Sequence, residues 1–207
     1  MRNPWLDIPL ADYESHMALP EIGQAQMLAD ELESAVRRYT PNSLAVVGCS
    51  GGNGFDRLVG STVDRIVGID INAAYIEAVR RRFASRIPRL ELYVADVQSL
   101  PPNLESVDML FAALMLEYVD PGLAMHSFKT LCRLGGAVVV ILQVAASNPV
   151  PVSPSPYRTI QSLTQVMRLL DPIDVQKIAG AAGFSLTSSR TIHLPSGKDF
   201  AVLSFQA

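Results

Sequence analysis

Two rhythms of apolar residues alternate along this chain. Mostly apolar runs at 44–47, 65–70, 90–95, 107–112 and 137–143 read as strands, the first two as buried ones, in a mostly parallel sheet. Between them, apolar residues recur every three or four positions, as on helices packed against a sheet. Pro20 opens the first such helix, with Ala25, Leu28, Leu32 and Val36 on one face, and Pro41 and Asn42 stop it. A short helix is expected at 54–59. Asn72 can cap another, in which Ala73, Ile76, Val79 and Phe83 share a stripe. The pattern then predicts a helix over 122–134, ended by Gly135 and Gly136, which feed the fifth strand. Ahead of all this, residues 1–19 read as an irregular arm, with Trp5, Ile8, Tyr13 and Met17 set among acids and prolines.

Beyond residue 144 the rhythm breaks. Residues 145–157 are rich in Pro and Ser and without period, so they read as a long loop or lid. Helices are expected over 159–170 and 173–182, the second ended by Gly183. Two apolar runs, 184–192 and 200–205, flank the turn residues Pro195, Ser196, Gly197 and Lys198 and read as an antiparallel hairpin. The expected fold is α/β: a Rossmann-like three-layer sandwich around a mostly parallel seven-stranded sheet that closes on a C-terminal antiparallel hairpin. We read one domain over 1–207, with an arm and helix at 1–40 and a lid-like insertion at 145–172. Sheets of this kind take ligands beyond the carboxyl ends of their strands, where strand order reverses. There the glycine turn after residue 47 would meet Asp70 and Asp96.

Charge and cysteine content narrow the partners. With 17 basic and 20 acidic residues the net charge is -3, which gives no reason to expect nucleic acid or an anionic membrane surface. Asp7, Asp12 and Glu14 interrupt any signal-peptide core, and no apolar run approaches the roughly 20 residues of a membrane span. A soluble, cytoplasmic protein is expected. Cys49 and Cys132 suit reduced thiols, and with three scattered histidines they make no metal-ligand spacing, so no metal is expected. Arg80, Arg81 and Arg82 read as a solvated helix end complementing the helix dipole.

The chemistry concentrates at 44–54, LAVVGCSGGNG, where Gly48, Gly51, Gly52 and Gly54 follow a buried strand and let a ligand approach bare backbone. In order, VVGCSGGNG, GIDIN, VADV, VDMLFAALMLEYV and LGGAVVVILQ resemble the motifs of the class I S-adenosylmethionine-dependent methyltransferases, from residue 44 to the C-terminus. That resemblance implies S-adenosylmethionine as cofactor. It implies a binding set of Gly48, Cys49, Ser50, Gly52, Asp70, Ile71, Asp96, Val97, Ala112 and Ala113. A carboxylate such as Asp70 can accept hydrogen bonds from both ribose hydroxyls. Asp96 would accept from the adenine amino group, between the apolar walls of Ile71 and Val97. The amides of the turn would meet the cofactor's carboxylate. Taken by themselves, Asp70 could instead be a helix cap and Asp96 a turn-former. Two positions depart from the pattern: Val46 stands where the family has an acid, and Ser50 where it has a glycine.

Methyl transfer requires mainly that an acceptor atom be held near the sulfonium in a dry site. Candidate catalytic residues are His16, Tyr13 and Tyr118, with His16 as the base, and Glu117, Ser153 and Tyr157 nearby. His126 and His193 read as structural. From residue 145 to 172 the chain carries Arg158 and Arg168 and no acid before Asp171, which suits a small, neutral or partly apolar acceptor rather than nucleic acid. Two other readings remain. Val46 and Ser50 fit a non-catalytic binding protein of the same fold. Gly48, Gly52 and Gly54 also resemble the short-chain dehydrogenase motif for a nicotinamide dinucleotide, but no tyrosine has the lysine four residues later that those enzymes need.

Overall fold

The structure is a computed structural model and describes residues 3–20, 22–145 and 152–207. Residues 146–151, within the expected lid, lie outside the described residues. Seven strands form one sheet: β1 (Ser43–Val47), β2 (Arg65–Asp70), β3 (Leu90–Val94), β4 (Val107–Ala113), β5 (Cys132–Val144), β6 (Ser185–His193) and β7 (Asp199–Gln206). Their order is β3-β2-β1-β4-β5-β7-β6. Strands β1 to β5 pair in parallel, and β7 runs antiparallel to both β5 and β6. Strand order therefore reverses between β1 and β4, where the glycine turn leaves the sheet.

Helices α1 (Leu10–Met17), α2 (Gln24–Tyr39), α3 (Ala73–Phe83), α4 (Pro121–Leu131) and α5 (Pro172–Ala181) cover the sheet and its rim. The alternation of side chains along the central strands divides the core into two layers. Leu44, Val46, Ile66 and Met109 pack with α2 and α3 on one face, and Ala45, Val47, Val67 and Leu110 with α4 and α5 on the other.

Several boundaries differ from the expectation, each for a local reason. Residues 3–19 are not irregular. Asn3 caps a short 3-10 turn at Pro4–Leu6, and α1 buries His16 and Met17 against the domain. α2 begins at Gln24, after Gly23 in the left-handed region, rather than at Pro20. On α3 it is Tyr75, Ile76, Val79 and Phe83 that face inward, while Ala73 is exposed at the start of the helix that Asn72 caps. α4 stops at Leu131, and Gly135 and Gly136 lie within β5. There the pairing with β4 shifts register, and a side chain on Gly136 would come 2.7 Å from the Asp108 carbonyl. The stretch 159–170 holds a 3-10 helix, Arg158–Gln165, which buries Ile160 and Leu163 three positions apart, as that geometry requires.

Candidate active site

At the carboxyl ends of β1, β2 and β4 a cavity is lined by Gly48, Ser50, Asp70, Ile71, Asp96, Val97 and Ala113. The arm and the segment after β4 complete it with Asn3, Trp5, Tyr13, Leu114, Met115, Tyr118 and Val119. Asp70 is 8% exposed, and each of its oxygens accepts one backbone N–H: Oδ2 from Ser50 and Oδ1 from Asn72, both at 2.9 Å. Burial raises its pKa, against the lowering effect of those N–H donors. Helix α3 is capped by Asn72, so Asp70 is left to the turn and the cavity. Asp96 also borders the cavity, while its carboxylate accepts from the Gln98 backbone at 2.9 Å.

The arm closes this site through specific bonds. Asn72 donates to the Trp5 carbonyl at 2.8 Å, and the Tyr75 hydroxyl donates to that of Ile8 at 3.0 Å. Arg82 pairs with Glu14 on α1 and donates to the Gly51 carbonyl at 2.9 Å. One of the three consecutive arginines thus ties helix, arm and glycine turn together instead of being merely solvated. On the outer side, the Thr159 hydroxyl donates to Asp12 at 2.6 Å, and Ile8 packs with Val152, Ile160 and Leu163.

Trp5, Tyr13, Leu114 and Tyr118 are shared with a second cavity. Trp5 meets Tyr118 and Tyr13 edge-on, with ring centroids 5.0 and 5.4 Å apart. Its further walls are Met17, Val152, Ile160, Leu163 and Met167, and its polar groups come from His16, Gln24, Gln143, Ser153 and Lys198. His16 is 6% exposed and its Nδ1 has no hydrogen-bond partner; burial, and then Lys198, lower its pKa. Lys198 donates to the Gln143 amide oxygen at 3.0 Å, and burial lowers its pKa to about 8. Behind Gln143 lies Glu117, wholly buried, which accepts the Gln143 backbone N–H at 2.8 Å and is pushed up by burial to about 7.

The methyltransferase-domain family model matches residues 45–140, the span from β1 through β4 into β5. Over that span the chain is similar to the methyltransferase domain, and its fold is that of the structures that follow. Among solved structures, the N-methyltransferase NodS from Bradyrhizobium japonicum is similar at 14% identity and a TM-score of 0.71, over 99% of this chain and 98% of that one. Magnesium protoporphyrin IX methyltransferase from Synechocystis is 14% identical with a TM-score of 0.68, over 89% of this chain and 83% of its own. The [4+2]-cyclase SpnF is 17% identical, also with a TM-score of 0.68, over 86% of this chain and 80% of its own. No curated protein sequence matches the chain.

The methyltransferase motifs fall on the first cavity unevenly. Gly48, Ser50, Asp70, Ile71, Asp96, Val97 and Ala113 line it; Cys49, Gly52 and Ala112 do not. Cys49 turns its thiol toward Gly68 in β2, Gly52 packs against Phe83, and Ala112 points into the α4 layer because neighbouring strand residues alternate. Four of the turn amides are also committed. Gly48 and Cys49 donate to the Ile69 carbonyl at 2.8 and 3.1 Å, Ser50 donates to Asp70, and Gly52 to the Cys49 carbonyl. They do not point at the cavity as expected. Of the catalytic candidates, Tyr13 and Tyr118 border both cavities and His16 the second alone. Ser153 lines the second cavity, and Tyr157 packs against the apolar cluster of Ile8, Val152, Ile160 and Leu163. Sequence reasoning missed Asn3, Trp5, Leu114, Met115 and Lys198. Trp5, the one tryptophan in a polar arm, was the available signal.

Among the described residues no helix is long and apolar enough to cross a membrane, and no cluster of His, Cys, Asp or Glu could hold a metal ion.

Proposed function

We propose that this chain transfers a methyl group from S-adenosylmethionine to a small, partly apolar acceptor held in the second cavity. The observation that carries the reading is the pair of cavities meeting at Trp5, Tyr13, Leu114 and Tyr118, with the two acidic residues on the first cavity only. The donor set there suits the cofactor. The Asp70 carboxylate accepts backbone N–H groups at both oxygens and, with about four lone-pair sites, keeps capacity for a ribose hydroxyl, and Ile71 and Val97 offer apolar walls for a base beside Asp96. When bound, S-adenosylmethionine supplies an electrophilic sulfonium methyl. The protein's part is to orient, to exclude water and to accept a proton. Trp5 and Tyr118 close the junction. Tyr13, pushed up to about 12 chiefly by burial and only partly offset by the Ser50 side chain, stays a neutral phenol and serves in positioning. His16, neutral and with Nδ1 unpartnered, takes the proton from an acceptor that must lose one.

The second cavity, with the apolar walls of Met17, Val152, Ile160, Leu163 and Met167 and a single lysine, supports a small molecule over a nucleic acid, which would want a basic groove. Calorimetry with S-adenosylmethionine and S-adenosylhomocysteine tests the donor assignment. Absence of heat and of a thermal shift at millimolar ligand would overturn it.

A second reading has its own support. The amides of Gly48, Cys49, Ser50 and Gly52 are satisfied within the protein and Val46 replaces the expected acid, which fits a protein of this fold that binds adenosine derivatives without methylating. The fold also carries another reaction in the [4+2]-cyclase noted above. Binding of S-adenosylhomocysteine without methyl transfer to any acceptor would favour this reading.

A further inference from the structure

We infer that the side chain of Leu114 limits the size of the group carried on the donor's sulfur, admitting a methyl and opposing anything larger. The inference rests on the first cavity being the donor site. Leu114 follows β4 and borders both cavities. Its backbone is left-handed, with φ +52°. Among the described residues the chain places glycine at eight left-handed positions and another residue at three, Thr40, Ser50 and Leu114. Thr40 ends α2, a common place for this conformation, and Ser50 gives its N–H to Asp70 within the glycine turn. Leu114 neither ends a helix nor offers a polar side chain. Glycine would follow the same backbone course without the clash that a Cβ brings there. What leucine adds is apolar volume, placed where the two cavities meet.

That volume is held from two sides. Leu114 donates its N–H to the Ile141 carbonyl on β5 at 2.9 Å. The next residue, Met115, crosses the glycine turn so closely that a Cβ on Gly48 would lie 3.1 Å from its own. Trp5 and Tyr13 share the border from the arm, whereas Leu114 is anchored to the sheet. Strand order then says which part of a donor meets it. Asp96 follows β3, Asp70 ends β2, Gly48 follows β1 and Leu114 follows β4. In the sheet order β3-β2-β1-β4 the two acids therefore stand on one side of the glycine turn and Leu114 on the other. Gln143, which borders the second cavity, lies one strand further, on β5. In an adenosyl donor the sulfur is joined to the ribose on the side away from the adenine. With adenine at Asp96 and ribose at Asp70, the sulfur and its alkyl group are directed across the turn, toward Leu114.

The test compares S-adenosylmethionine with S-adenosylethionine and the S-allyl analogue, which carry the same charge and differ only in the alkyl group. Affinity is measured by calorimetry on the whole protein, so no acceptor is needed. The wild type should bind the methyl donor about tenfold or more tightly than either larger one, the scale of one added methylene against a packed apolar wall. Leu114→Ala removes the wall and keeps the left-handed backbone; Leu114→Gly removes the wall and the strain. In both, the preference should fall to about threefold or less. Thr40→Gly relieves a left-handed residue that borders neither cavity and should keep the wild-type preference. Thermal melts show that each variant is folded. If Leu114 serves packing alone, its variants lose affinity for all three donors together and their ratio stays that of the wild type. That result, or a wild type that binds the three donors alike, would overturn the inference. The donor reading fails differently: the wild type would then bind neither S-adenosylmethionine nor S-adenosylhomocysteine, and the inference would fall with it.

Discussion

The carboxylate of Asp70 accepts the backbone N–H of Ser50 at 2.9 Å, so the acid ending β2 also holds the glycine turn that follows β1. One side chain therefore shapes the turn and faces the donor cavity. Its second oxygen is held by the N–H of Asn72, the cap of α3, which fixes the carboxylate plane. Asp70→Asn keeps the size but offers one acceptor oxygen in place of two. Affinity for S-adenosylhomocysteine should fall about 10- to 100-fold, the range of one or two charge-assisted hydrogen bonds. Calorimetry reads this directly; unchanged affinity would return Asp70 to a purely structural role.

His16 gives a prediction that needs no acceptor. Burial and then Lys198 hold its pKa below the ordinary 6.5, so the ring is neutral at pH 7 and charges only at lower pH. An NMR titration should place its midpoint below 6.5, and Lys198→Met, by removing a like charge, should move that midpoint upward. If His16 is the base, the acid limb of the rate profile follows the same midpoint. His16→Gln should then lower kcat by about 10²- to 10⁴-fold. An unchanged kcat would leave it as a packing residue.

Most of the sheet was legible because its central parallel strands are predominantly apolar; β2 has the bounds its sequence suggests. Where an element depended on distant contacts, local pattern failed. The arm looked irregular because α1 is short and its order comes from Tyr75, Arg82 and Thr159, far along the chain. Gly135 and Gly136 looked like a helix end because a bulge and a helix stop call for the same residue. In the site, motif position singled out Asp70 and Asp96 but did not say which of the turn residues face outward, since that depends on packing against Gly68 and Phe83. Lys198 was invisible as a site residue. It lies in a hairpin turn, where a lysine is ordinarily solvated.

Gly52 has φ +88°, and a Cβ there would sit 2.7 Å from the Phe83 ring. Gly52→Ala imposes a left-handed conformation on an L residue as well as a clash, and should cost about 1–3 kcal/mol in urea unfolding. Gly180, within α5, meets nothing within 4 Å. Gly180→Ala should instead stabilise by about 0.5–1 kcal/mol, through helix propensity and lost freedom of the unfolded chain. If both variants melt alike, the strain assigned to the turn is absent.

Glu117 carries the clearest dependence of stability on pH. It is wholly buried, its Oε1 accepts from the Gln143 N–H, its Oε2 has no partner, and burial pushes its pKa from 4.5 to about 7. In the folded protein the carboxyl therefore keeps its proton between pH 4.5 and 7, where the unfolded chain has released it. A folded state that holds more protons loses stability as pH rises, so the penalty grows across that window and is constant above it. At its full extent it amounts to about 3 kcal/mol. Glu117→Gln cannot ionise and keeps an oxygen for the Gln143 N–H. Comparing it with the wild type at each pH cancels the contributions of Asp70, His16 and Lys198. The variant should match the wild type near pH 4.5 and exceed it by about 2–3 kcal/mol at pH 8 in urea melts. A difference independent of pH would mean that Glu117 is ionised in the fold, with its second oxygen finding a partner in solution.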